Sequence, residues 1–160
     1  MRTTIAIAIV AAGVIPAEAG PYDGCFERTY DKAHLAAHPG QTVTSIILRL
    51  KPRDMNDGNN VAAELRFAFR AGNDGHYAVG SCKDEGERLY CGLDQDAGRI
   101  SVRPNDGGLM LSPISDVRAD SASGDENDYI TISSSNPEDR NFALRPAPAA
   151  ACSAFDDDGE

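Results

Sequence analysis

The sequence predicts an all-β chain. It reads as a single small antiparallel up-and-down barrel of about eight strands, or a two-sheet sandwich, with one short N-terminal helix and disulfide staples. Three observations carry that prediction. Apolar and polar residues alternate in several short segments, most cleanly where Ala63, Leu65, Phe67 and Phe69 interleave with Glu64, Arg66, Ala68 and Arg70. Successive strand side chains point to opposite faces, so this pattern marks a strand with one buried face. Turn residues recur about every ten positions between such segments, as in barrels and sandwiches. The chain also carries 4 cysteines, an even number that suits two disulfides in an oxidising compartment.

The ends frame this domain. Arg2 precedes an apolar stretch from Thr3 to Ile15 that is too short to span a bilayer. Ala17-Glu18-Ala19 then supplies the small-x-small pattern of a signal-peptidase site. Residues 1–19 are expected to be a signal peptide cleaved before Gly20, followed by the β domain at 20–155 and an acidic disordered tail at 156–160. No lipobox precedes Cys25 and no second apolar segment follows, so no membrane anchor is expected. The expected location is the periplasm or the extracellular space. Against 15 Lys and Arg stand 25 Asp and Glu, a net charge of −10. That balance repels nucleic acid and anionic lipid, leaving cationic proteins, metal ions or neutral small molecules as partners.

The elements follow in order. Asp31 can cap a helix over about Lys32 to Ala37, which Pro39-Gly40 stops. Thr42 to Leu50 reads as a strand with Ile46, Leu48 and Leu50 on one face, and Lys51 to Asn60 as a polar loop. After the strand at Ala63 to Arg70, Gly72-Asn73-Asp74-Gly75 reads as a hairpin turn into a strand at His76 to Cys82. Short strands are expected at Arg88 to Leu93, Arg99 to Arg103 and Leu109 to Ser112, with Val117-Arg118 as a short edge segment. Tyr129 to Ser133 and Asn141 to Arg145 complete the strands, with Phe142 and Leu144 inward, and Ala147 to Ala151 is expected to be extended.

The cysteines allow three pairings. A two-residue Gly86-Glu87 turn places Cys82 and Cys91 directly opposite on neighbouring strands, at the separation a disulfide needs. Cys25 and Cys152 then staple the two ends of the domain. A register that puts Val79 and Leu89 on one face would instead send Cys82 and Cys91 to opposite sides. The hairpin pairing is the one preferred.

The stretch from Cys25-Phe26-Glu27-Arg28-Thr29-Tyr30-Asp31 through His34-Leu35 to His38-Pro39, together with Gly80-Ser81-Cys82 and Cys91, resembles an uncharacterised group of small secreted bacterial proteins. The resemblance covers most of the chain after Gly20 and implies no activity. It also implies two further cysteines, near Gln95 and Arg118, which this chain lacks, so it does not fix the pairing of the four present.

Candidate chemistry is sparse. Asp31, His34 and His38 fall on roughly one face of the short helix, where two imidazoles and a carboxylate can hold zinc or copper. The simpler role for these residues is an N-cap, a surface side chain and a histidine favoured by the helix C-terminus. Asp94-Gln95-Asp96-Ala97-Gly98 resembles the start of a calcium loop but has Arg99 at position six and Asn105 at position twelve, so a turn is the better reading. Ser121 to Asp128 reads as a solvated acidic loop. No nucleophile elbow, metalloprotease helix, phosphate loop or dinucleotide fingerprint is present. The expectation is a secreted or periplasmic, non-enzymatic binding module for a protein or small ligand, needing no cofactor. The alternative is a metal-binding protein using Asp31, His34 and His38.

Overall fold

Ile46, Leu48 and Leu50 are fully buried, as their alternation predicts, and each faces another inward residue across the ladder: Phe67, Leu65 and Ala63. This ladder is one wall of the barrel. The computed structural model describes residues 22–53, 59–125 and 127–156; the expected signal peptide and residues 157–160 of the expected tail lie outside them. Strands β1 (Gly24–Thr29), β2 (Val43–Pro52), β3 (Val61–Phe69), β4 (Gly72–Asp84), β5 (Leu89–Leu93), β6 (Arg99–Asn105) and β7 (Gly108–Pro113) follow one another, with helix α1 (Lys32–Ala37) between the first two. Then come β8 (Val117–Ser121), β9 (Tyr129–Ile132) and β10 (Phe142–Ala147).

Strands β1 to β7 pair antiparallel in sequence order, β7 pairs with β10, and β10 returns to β1. The result is a closed eight-stranded up-and-down barrel and not a sandwich. Closure removes the free edges that an open sheet exposes. The β8–β9 hairpin is an insertion between β7 and β10. It docks on the first half of β4, through His76 opposite Ser121 and Tyr77 opposite Asp120, while the second half of β4 pairs with β5.

Three segments differ from the sequence expectation. Strand β1, before the helix, is unforeseen, yet it closes the barrel. Cys25 and Phe26 are both buried, which masks its period of two. Phe26 lies opposite inward Leu48, whereas Cys25 lies opposite Arg49 on the outer wall, under the C-terminal segment. The β3–β4 turn is at Arg70-Ala71, so Gly72 to Gly75 belong to β4, with a register irregularity between Phe67 and Phe69. Residues Ala149–Phe155 wind into a 3₁₀ helix instead of continuing extended.

The interior is filled. Inward side chains from all eight barrel strands form one contiguous apolar core with the hairpin's Val117, Ala119 and Ile132, and Phe67 and Phe142 are the largest fully buried side chains among the described residues. Each valine, leucine, isoleucine or phenylalanine among them contributes roughly 1.5–3 kcal/mol by leaving water. Cys82 and Cys91 sit in this core directly opposite one another and form a disulfide, which settles the register and sends Val79 outward, 42% exposed. A Cβ on Gly80 would lie 2.4 Å from the carbonyl oxygen of Gly92, so glycine is what lets β4 and β5 approach here. The second disulfide, Cys25–Cys152, ties β1 to the C-terminal 3₁₀ helix. Arg49 reinforces that tie. Its guanidinium donates to Glu64, to Asp156 at 2.5 Å and to the Phe155 carbonyl at 3.2 Å, and stacks 5.0 Å from the Phe155 ring. The hydrogen bond to Glu64 holds its pKa above the ordinary arginine value. Asp156, expected in the disordered tail, is therefore anchored. No helix among the described residues is long and apolar enough to cross a membrane.

Candidate functional site

The predicted Asp31, His34 and His38 lie together at the barrel end formed by the finish of β1 and β3 and the start of β2. Asp31 is the N-cap of α1 and accepts the His34 backbone N–H at 2.7 Å. The His34 ring stacks between Tyr30, at 4.6 Å, and His38, at 4.3 Å. Its Nε2 donates to Gln41 Oε1 at 2.9 Å, and buried Gln41 in turn donates to the Val43 carbonyl at 2.8 Å. His38 Nδ1 is 4.0 Å from Glu138. Arg70 fastens the helix from below, donating to the carbonyls of Gln41, Leu35 and His38. These side chains serve caps, stacks and carbonyl contacts. Among the described residues, no three His, Cys, Asp or Glu side chains are grouped around one metal position. Asp94–Asp96 is a 3₁₀ turn in which Gln95 and Asp96 take positive φ, in keeping with its reading as a turn.

A different surface gathers what the sequence scatters. Register aligns Arg66 of β3, Tyr77 of β4, Asp120 of β8 and Tyr129 of β9 in one row across the outer wall. Residues directly opposite share a face, and so do those two apart on a strand. Val79 therefore joins Tyr77, and Arg118 joins Asp120. Among the described residues, Tyr77, Val79 and Tyr129 are three of the four exposed large hydrophobic side chains. Arg118 Nε donates to Asp120 at 2.7 Å while its guanidinium covers the Tyr129 ring at 4.5 Å. The result is an aromatic stripe edged by charge.

Polar contacts hold the hairpin that carries half of this stripe. At one end, Asp116 accepts from the Ser134 N–H at 2.8 Å, the Ser134 hydroxyl at 2.9 Å and the Ser133 hydroxyl at 3.4 Å. The Ser134 backbone hydrogen bond leads in holding the Asp116 carboxyl below the usual aspartate range. Gly98, at φ +110°, passes so near this end that a Cβ would lie 2.2 Å from the Asp116 carbonyl oxygen. Beyond β9, the 3₁₀ turn Pro137–Asp139 buries Asp139 completely. Its carboxylate accepts from the Thr42 hydroxyl at 2.6 Å, the Thr42 N–H at 3.0 Å and the Asn136 side chain at 2.8 Å. At the opposite end of the barrel, an open cleft of about 600 Å³ runs between the start of β1, the β6–β7 turn and the end of β10, with Phe26, Pro104, Leu109 and Pro146 in its lining.

Fold and surface together define a class of protein: a filled, disulfide-stapled, closed β-barrel with an outboard hairpin presenting an aromatic stripe. No protein-family description matches this chain, and neither a curated protein nor a solved structure does. The stripe was not legible in the sequence. Tyr77, Asp120, Arg118 and Tyr129 become neighbours only through the docking of the hairpin on β4, which no local pattern announces.

Proposed function

We propose that this chain is a non-enzymatic binding module of the periplasm or extracellular space that recognises a protein partner with its outer wall. The observation that carries this reading is the exposed row of Tyr77, Val79 and Tyr129 beside Arg118 and Asp120. Tyrosine and arginine on a rigid sheet are the side chains that most often dominate protein interfaces. Two disulfides fit the oxidising compartment in which such a module would work. The filled core supports recognition outside the barrel over a ligand held within it. The test is capture from an envelope or secreted-protein extract, comparing the wild type with the double variant Tyr77→Ala/Tyr129→Ala. The expected result is a saturable protein partner whose recovery drops at least about tenfold in the variant, as loss of two interface anchors implies. Equal recovery by both proteins, with the variant folded by circular dichroism, would sink this reading.

A further inference from the structure

We infer that the outer edge of β9 is a strand-addition site for an extended, cationic segment of a partner protein. This rests on the binding-module reading and says how the partner would dock. Among the described strands, β9 is the one with a neighbour on a single side; every barrel strand is paired on both. The direction of its free groups follows from the register. The Ser121 N–H donates to the Asp128 carbonyl at 2.8 Å, and hydrogen-bonded pairs alternate along an antiparallel ladder. Ile130 and Ile132 therefore spend their backbone groups on β8. The N–H and C=O of Tyr129 and Thr131 point away from it, into the open.

An edge of this kind is normally guarded by lysine, proline, a bulge or a covering segment, because it templates pairing with other chains. Tyr129-Ile130-Thr131-Ile132 contains no charge and no proline, and its ladder with β8 runs without a bulge. Its residues are aromatic or β-branched throughout, the composition that holds a strand extended. Only its length, 4 residues, limits it. Ile132 and partly buried Ile130 pack on the core, so the edge is rigid and preformed.

Charge selects the occupant. From Asp116 to Ser134 the chain carries Asp116, Asp120, Asp125, Glu126 and Asp128 against the single Arg118. A second copy of this chain would bring the same acidic hairpin against itself and be repelled, whereas a lysine- or arginine-bearing strand would be drawn in. In strand addition, main-chain hydrogen bonds supply affinity and alternate side chains supply specificity. Here alternate basic side chains would meet the acidic charge that Asp120 and Asp128 bring to the hairpin.

The probe is a peptide of about ten residues alternating lysine and valine, added to the oxidised protein, with backbone amides followed by NMR. Two control peptides replace lysine by glutamate or carry N-methyl groups on alternate amides. The inference expects new protection at Tyr129 and Thr131, and binding at least about tenfold weaker for both controls. Thr131→Pro removes an outward N–H without touching the β8 ladder, so it should weaken the lysine peptide to a similar degree while leaving the fold intact. Equal binding of the N-methylated peptide, or protection elsewhere, overturns strand addition. Protected Tyr129 and Thr131 amides in the protein alone, with a dimer in sedimentation, overturn the cationic occupant in favour of a second copy. The two ideas fail separately: a captured partner that Thr131→Pro retains and Tyr77→Ala/Tyr129→Ala loses removes strand addition and leaves the binding surface standing.

Discussion

Asp116 shows how a surface carboxylate can organise a loop. Its oxygens take an N–H and two hydroxyls from Ser133 and Ser134, and these donors favour the charged form. A carboxyl whose folded pKa is depressed contributes stability in full above its unfolded value, about 3.9, and loses it as pH falls through the lower folded value. Asp116→Asn is therefore expected to be less stable than the wild type at neutral pH, with the difference closing in acid below about pH 4. Urea unfolding of the two proteins across that range checks the sign, and a side-chain titration placing Asp116 at or above the ordinary aspartate value would refute it. Sequence reading succeeds at residues whose partners are near in the chain. Asp31 caps α1 as its position before Lys32 implies, and Phe142 and Leu144 face inward as their alternation implies. It is silent on Arg49 and Asp139, whose partners lie about a hundred positions away.

At the scale of elements, the strands were legible where a buried apolar face alternates with a less buried polar one, as in β3. Strand β1 escaped because its outer face is also covered, at Cys25, so the alternation that marks a strand is broken. The hairpin β8–β9 was half seen: its strands were foreseen in part, but its place beside β4 depends on tertiary docking. The turn Pro137–Asp139 fixes the far side of that insertion by inserting Asp139 into the start of β2. Asp139→Ala removes a fully buried carboxylate and strips the charged acceptor from the part-buried Thr42 N–H, Thr42 hydroxyl and Asn136 side chain. The expected cost is about 2–4 kcal/mol, with Asp139→Asn losing less because it keeps an acceptor. Chemical denaturation at constant slope measures both; a loss below about 0.5 kcal/mol in the alanine variant would mean that water replaces the carboxylate.

For the whole molecule, the sequence favours the up-and-down barrel with the sandwich close behind, and the barrel is what forms; the choice turns on whether β10 returns to β1 and β3 meets β4. The disulfide pairs were legible, one from a hairpin and the other by what remained. They differ in leverage. Cys25–Cys152 spans a sequence separation of 127, against 9 for Cys82–Cys91. Loop-closure entropy in the unfolded chain makes the long link worth about 5 kcal/mol and the short one about 2.5 kcal/mol. Removing Cys25 and Cys152 together should thus lower the unfolding free energy about twice as much, through loop entropy, as removing Cys82 and Cys91. Equilibrium unfolding of the Cys25→Ser/Cys152→Ser variant tests this; a loss well under 2 kcal/mol would show that the unfolded chain is already compact. Domains of this size are stable by only about 5–15 kcal/mol, so the long link separates a robust fold from a marginal one.

The same link has a mechanical consequence. The two cysteines sit at one end of the barrel with their Cα atoms 6.0 Å apart, opposite the end that bears the hairpin. A pull applied upstream of Cys25 and downstream of Cys152 travels through a covalent bond and bypasses every hydrogen bond of the barrel. Tethered in this way, the oxidised protein transmits tension as a short inextensible link while the hairpin and its row of Tyr77, Asp120 and Tyr129, toward the far end, stay unloaded. Only after reduction would the same pull begin to peel β1 and β10 apart.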